Sequence, residues 1–263
     1  MSLVNPIDKS VVEYKINGKK YSLLSDPHTH TVFSHGTGTV RDNVLAARER
    51  GIYRIGIADH GPGHIGFGVP RKKLREEREE VFALREEFPD MIIFFSVEAN
   101  ILGGGKLDIR PEEYDFFDFI CAGWHYGAVL GVSPGGLLAA AENFARSTAS
   151  RATARQLRRN TDAIVCALEA NPVKILTHPG DKAPVDLLEI AVACARTDTL
   201  VEINTSHMSL TADDLRTMAL ADVRFIISSD AHSPDRVGDF LPGVRLVLDA
   251  GIDPASVVNL KAE

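Results

Sequence analysis

Two short patterns in the chain have the residue types and spacing to grip a metal ion: His28-x-His30 and Asp230-x-His232. Residues i and i+2 of an extended strand point the same way, so each pair offers two ligands to one side. Imidazole and carboxylate without thiolate suit zinc, manganese or iron better than a structural zinc finger. Other ligand types stand alone at Asp59-His60, Glu98, His125, His178 and His207. Each has an ordinary alternative. A lone histidine is commonly hydrogen-bonded or exposed, and a lone aspartate caps a helix or forms a turn. Position within the chain is what separates these residues from that alternative.

Seven short apolar runs lie near 22–27, 53–58, 91–97, 118–123, 173–177, 199–204 and 223–229. Most are separated by helical patterns, at about 40–50, 70–88, 135–170, 186–197 and 211–220, with further helical segments near 244–250 and 254–260. Apolar runs alternating with helices predict parallel strands buried on both faces. The runs end in Asp26-Pro27-His28-Thr29-His30, Asp59-His60-Gly61, Glu98-Ala99-Asn100, Gly123-Trp124-His125, Thr177-His178-Pro179-Gly180, Asn204 (with His207 three residues on) and Ser229-Asp230-Ala231-His232. Six of the seven therefore finish on a histidine, aspartate or glutamate able to bind metal. In a parallel β/α barrel the C-terminal strand ends share one mouth, which would gather residues far apart in sequence.

The chain has 263 residues and nine histidines. Its length is compatible with one large α/β domain, and no linker or repeat divides it. A single domain spanning 1–263 is expected. Residues 1–24 should form an N-terminal extension with a hairpin at Asn17-Gly18, a pair that tolerates the positive φ of a type I′ turn. An Ala/Arg-rich helical insertion is expected over 133–165. Arg151, Arg155, Arg158 and Arg159 there make one helix face basic, either as a solvated surface or as a cap that draws in anions.

The net charge of -7 disfavours a dedicated nucleic-acid binder but leaves a nucleotide or other phosphorylated substrate open, since bound metals can supply positive charge locally. Three widely spaced cysteines without a CxxC argue against a disulfide framework. With no apolar stretch long enough for a membrane span and no signal-peptide pattern, the expected location is the cytoplasm, with no membrane partner.

The ordered set of strand-end motifs resembles the PHP (polymerase and histidinol phosphatase) family, in its stand-alone bacterial phosphoesterase form. The resemblance runs from Asp26 to about Phe240. It implies a distorted (β/α)7 TIM-like barrel, in agreement with the seven runs. It also implies three divalent metal ions, zinc, manganese or iron. One would take His28, His30, Glu98 and Asp230; a second Glu98, His125 and His178, with Glu98 bridging; a third His35, His60 and His232. Spacing around His35 varies within the family.

The activity implied is metal-dependent hydrolysis of a small phosphomonoester, a phosphorylated metabolite, by a metal-bridging hydroxide. Glu98 would fix the metal separation, and Asp230 would anchor one ion and steer the nucleophile's proton. Asp26 and Asp59 either set the tautomer of a neighbouring ligand histidine or serve backbone turns. His64, in the glycine-rich stretch 61–68, and His207 are candidates for substrate contact or for protonating a leaving group. A solvent-exposed loop histidine is the alternative for each. Histidinol-phosphate phosphatase, a nucleotide or oligonucleotide phosphoesterase, and a non-catalytic metal-binding regulatory domain are the competing readings. Lys174 opens the fifth strand and should face the opposite end of the barrel, so an amidohydrolase-type lysine bridge has no counterpart.

Overall fold

A computed structural model describes residues 13–128 and 153–263, together with 141, 144 and 145. The chain enters through a hairpin, β1 (Glu13–Ile16) and β2 (Lys19–Leu23), turning at Asn17 and Gly18 with φ of 50° and 82°. Positive φ at both turn residues matches the right-handed twist of the two strands.

Seven parallel strands follow: β3 (Asp26–Thr29), β4 (Arg54–Ile57), β5 (Ile92–Gly103), β7 (Phe119–Gly123), β8 (Val173–Leu176), β9 (Leu200–Asn204) and β10 (Phe225–Ser228). They lie side by side in the order β10-β9-β8-β7-β5-β4-β3. The two outer strands then approach each other, with a parallel bridge between Thr29 and Ala231 and a bond from His30 N to Ala231 O of 2.8 Å. The result is a nearly closed (β/α)7 barrel. Strand β5 overruns the mouth and folds back into the short β6 (Lys106–Leu107).

Helices among the described residues, outside 129–152, are α1 (Val40–Glu49), α2 (Arg71–Glu87), α3 (Ala154–Ala170), α4 (Leu187–Thr197), α5 (Ala212–Ala219) and α6 (Leu241–Ala250). Thr39 with Asp42, and Thr211 with Asp214, form capping boxes that start α1 and α5. About half of the expected insertion at 133–165 lies outside the described residues. Its described end belongs to α3, where Arg158 pairs with Asp162 and with Glu189 at 2.6 Å. Arg158 is thus part of a charged outer surface.

One expected element is different. Residues 254–260 are not a helix: a 3-10 turn at Pro254–Ser256 leads to β11 (Leu260–Ala262), which pairs antiparallel with β2. Asn259 accounts for the change. Its side chain accepts from Ile227 N (2.9 Å) and donates to Ser25 O and Ile227 O (2.9 and 2.6 Å), tying the tail to the barrel. The N-terminal hairpin is consequently a three-stranded sheet, β1-β2-β11.

Strand alternation divides the core and positions the site. On β5, Phe95, Val97 and Ala99 face the helices, while Phe94, Ser96 and Glu98 face the barrel axis. Phe94, Cys121, Ile175, Leu200 and Ile226 form an apolar plug inside. Two to four residues further along the same inward faces come Glu98, Thr177, Glu202 and Asp230, all buried. The plug closes one end, and the polar layer opens at the C-terminal mouth. Among the described residues, no helix is long and apolar enough to cross a membrane.

Candidate metal centre

The nine expected ligands converge at that mouth. His28 Nε2 lies 3.1 Å from His30 Nε2, 3.6 Å from Glu98 Oε2 and 3.7 Å from Asp230 Oδ1. His30 Nε2 lies 3.5 Å from Glu98 Oε2 and 3.1 Å from Asp230 Oδ1. Two ligand atoms each bonded at about 2.0–2.1 Å to one zinc at the tetrahedral angle are themselves about 3.3–3.4 Å apart, so these separations fit a shared ion. On the other side of the same carboxylate, Glu98 Oε1 lies 2.9 Å from His178 Nε2 and 3.3 Å from His125 Nε2. The two imidazole nitrogens are 3.2 Å apart. Glu98 therefore turns one oxygen to each group, the geometry a bridging ligand needs.

Buried atoms without hydrogen-bond partners mark the same place. His35 Nδ1 lacks a hydrogen bond, and Asp230 Oδ1 and His60 Nδ1 face only other members of the cluster, His30 Nε2 at 3.1 Å and Glu98 Oε2 at 2.9 Å. A buried polar atom left unpaired is costly, and metal coordination is one way it is satisfied. The donor set of imidazole and carboxylate likewise fits a divalent ion.

His35, His60 and His232 do not stand apart as a separate trio. They surround His30, with ring centroids 5.4, 4.7 and 4.4 Å from it. Their ligand atoms group as His30-His35-His60 and as His30-Asp230-His232, and His60 also groups with Glu98 and His125.

Two of the expected ligands sit in left-handed backbone: His178 with φ of 30° and Asp230 with φ of 48°. Such strain, of order 1–3 kcal/mol each, persists only where the surroundings hold it. Here His178 N donates to Glu202 Oε2 at 2.7 Å, and Asn204 Nδ2 donates to Asp230 Oδ2 at 2.9 Å.

The residues that aim the imidazoles include Glu202 and Asn100, which lie in the strand-end motifs but had no role assigned from sequence. His28 Nδ1 donates to Glu202 Oε1 (2.7 Å), leaving Nε2 for the cluster. His125 Nδ1 donates to Asn100 Oδ1 (2.8 Å), and Asn100 Nδ2 is held by Asp108 Oδ2 (2.5 Å). His232 Nδ1 donates to the Asp230 carbonyl (2.9 Å). A signal did exist. Glu202 stands in the apolar run Leu200-Val201-Glu202-Ile203, where a charge is too costly to keep without partners.

The two aspartates left open by the sequence differ. Asp26 accepts from Ser229 N (3.0 Å), Ser229 Oγ (2.5 Å) and Gly238 N (2.7 Å), so it pins loops. Asp59 accepts from Thr31 N (2.8 Å) and from the Thr31 and Ser34 hydroxyls, and lies 3.6 Å from His30 Nδ1. Burial alone would raise its carboxyl, and His30, Ser34 and Thr31 bring it to about 2.

The electrostatics divide the histidines. Burial pushes the imidazolium forms of His35 and His125 down to about 3, and those of His64 and His232 to about 4. Near pH 7 these rings are neutral, the form that binds metal. For His30 burial also works downward, but Asp230 and Asp59 outweigh it and raise it to about 9. Burial raises Glu98, while His125, His28 and His60 hold it well below its ordinary value.

The glycine-rich stretch 61–68 wraps Asp108. A Cβ at Gly61 would come within 2.4 Å of Asp108 Oδ1, and one at Gly63 within 2.6 Å of Asp108 Cβ, while Gly63 N donates to Asp108 Oδ2 at 2.7 Å. Glycine is required there for close approach. The stretch also carries His64, whose ring stacks on His60 at 5.3 Å. His207 lies beside His178, with Nδ1 3.2 Å from Asp181 Oδ2 and Nε2 3.7 Å from Asp230 Oδ2. Both line a cavity of about 380 Å³ above the cluster, whose wall is completed by Phe67, Tyr126, Gly127 and Lys182. Lys174 pairs with Asp198 at 2.8 Å, away from the mouth.

No family model matches the chain. Proteins named probable phosphatase are similar to it along most of its length. One from Syntrophotalea carbinolica is 27% identical over 248 residues, covering 90% of this chain and 92% of that protein. Another, named probable phosphatase YcdX, from Escherichia fergusonii, is 27% identical over 251 residues, covering 89% of each. Among solved structures, histidinol phosphate phosphatase from Lactococcus lactis, in complex with zinc, L-histidinol and phosphate, superposes with a TM-score of 0.57 at 19% identity. The match covers 87% of this chain and 94% of that one, a likeness of fold.

Proposed function

We propose that this protein is a metal-dependent phosphatase that hydrolyses a small phosphomonoester at the barrel mouth, as one domain of the PHP type. The observation that carries the reading is the division of Glu98, with Oε2 toward His28 and His30 and Oε1 toward His125 and His178. One ion would be held by His28, His30, Glu98 and Asp230, a second by Glu98, His125 and His178, and a third by His35, His60 and His232. Such ions, when bound, lower the pKa of water and polarise a phosphoryl oxygen.

The chain's own groups do the positioning. Glu98 fixes the spacing of the two ligand groups. Glu202 and Asn100 hold His28 and His125 in the tautomer that turns Nε2 to the cluster. Asp230 keeps a carboxylate oxygen at the mouth, anchored through Asn204. His64 and His207 both line the cavity over the cluster, His64 beside His60 and His207 beside His178.

The names of the similar proteins support phosphate-ester hydrolysis in general. The natural ester is read by assay. Purified protein supplied with manganese or zinc should release p-nitrophenol from p-nitrophenyl phosphate. A panel of histidinol phosphate, a nucleoside monophosphate and a short oligonucleotide then separates the candidate substrates. Metal-loaded protein that turns over none of these would leave a metal-binding regulatory domain as the better reading.

A further inference from the structure

We infer that Lys182 binds the outer oxygens of the substrate phosphate and so selects a dianionic monoester over a monoanionic diester; the inference rests on the phosphatase reading above. Among the described residues that line the cavity, Lys182 is the sole lysine or arginine. The remaining wall is imidazole, aromatic ring, glycine and carboxylate, so Lys182 is the one lining side chain that brings an ammonium group.

Its position is built. The turn after His178 runs through Gly180, with φ of +87°, and closes with Asp181 N donating to His178 O at 3.2 Å. That turn brings the next side chain back over the mouth. Lys182 Nζ then lies 2.5 Å from Asp181 Oδ2 and 3.5 Å from His207 Nδ1. Asp181 Oδ2 is itself 3.2 Å from His207 Nδ1, so one carboxylate holds both groups on the same wall. Burial works to raise the Asp181 carboxyl, but His207 and Lys182 lower it strongly, so it stays ionised and keeps its hold.

An ammonium has three N–H donors, and Asp181 engages one side of it. His207 Nδ1 faces a second side at 3.5 Å, which leaves the third N–H for a phosphate oxygen. A monoester dianion has one more anionic oxygen than a diester and gains more from this cation. Hydrogen bonds to charged groups are the stronger kind, so loss of the cation should be felt about tenfold or more in monoester binding.

The test compares wild type, Lys182→Met and Lys182→Arg, each loaded with manganese and checked by circular dichroism. For p-nitrophenyl phosphate, Lys182→Met should raise KM about tenfold with kcat changed less than about threefold. Turnover of bis(p-nitrophenyl) phosphate should change less than about threefold, and competitive inhibition by inorganic phosphate should weaken in step with KM. Lys182→Arg should recover most of the loss. An unchanged KM and an unchanged phosphate inhibition constant in Lys182→Met would overturn the inference while leaving the phosphatase reading intact. A wild type inactive on both esters would count against the phosphatase reading. Titration calorimetry of inorganic phosphate into metal-loaded wild type and Lys182→Met then decides the role of Lys182, with equal affinities overturning it.

Discussion

His28 Nδ1 lies 2.7 Å from Glu202 Oε1, across 174 residues of sequence, and this bond leaves Nε2 as the nitrogen that faces the cluster. Glu202 is fixed in turn by the Ser228 hydroxyl and by Asn204 Nδ2 at 2.9 Å. The carboxylate is therefore a shared brace for β3, β8, β9 and β10.

Replacing Glu202 by Gln keeps the shape and removes the charge that stabilises the Nδ1–H tautomer. Metal affinity or activity should fall about 10–100-fold, the usual cost of losing such a partner. Competition with a chromogenic chelator checks this, and an affinity within about twofold of wild type would count against the role.

Much of this arrangement was legible in sequence, and the division follows distance. The seven apolar runs marked the barrel strands, and ligand-type residues at their ends marked the mouth, because strand ends in such a barrel share one location. The partners of those ligands were not legible. Glu202 reaches His28 and Asp108 reaches Asn100 only through side-chain packing across strands, which periodicity does not encode. Residues 254–260 misled for a related reason. Their local pattern is helical, but Asn259 and the open edge of β2 impose a strand.

Gly61 tests the brace on the other side of the site. Gly61→Ala would drive a methyl to within 2.4 Å of Asp108 Oδ1, in a buried network with little room to shift. Overpacking of this kind costs about 1–3 kcal/mol, which should lower Tm by roughly 3–10 °C. Differential scanning calorimetry measures it, and an unchanged Tm would show that the loop yields freely.

Glu77, one residue behind the expected ligands through Asp59, predicts a pH effect on stability. It is fully buried on α2 against Asp59. Burial first, then Asp59, raises its pKa well above 4.5. A raised carboxyl contributes most below the unfolded value, and its contribution is lost as pH rises toward the folded value. Glu77→Gln cannot ionise. Its Tm should therefore gain on wild type as pH increases from 5 to 8, and parallel Tm curves over that range would contradict the assignment.

Metal removal should act on stability as well as turnover. An ion that binds only the folded chain raises Tm with its concentration. Chelator-treated wild type should gain Tm on addition of zinc or manganese, whereas Glu98→Ala, lacking the carboxylate common to both ligand groups, should gain much less. Equal gains in the two proteins would place the responding ion elsewhere.

The most direct test of the central claim joins metal content to turnover in one set of samples. Wild type, Glu98→Ala and Asp230→Ala are purified, checked for folding, analysed for bound metal and assayed on p-nitrophenyl phosphate with added manganese. The account predicts metal-dependent hydrolysis by wild type, with loss of bound metal and of turnover together in both variants. Either variant retaining wild-type turnover with its metal depleted would contradict it.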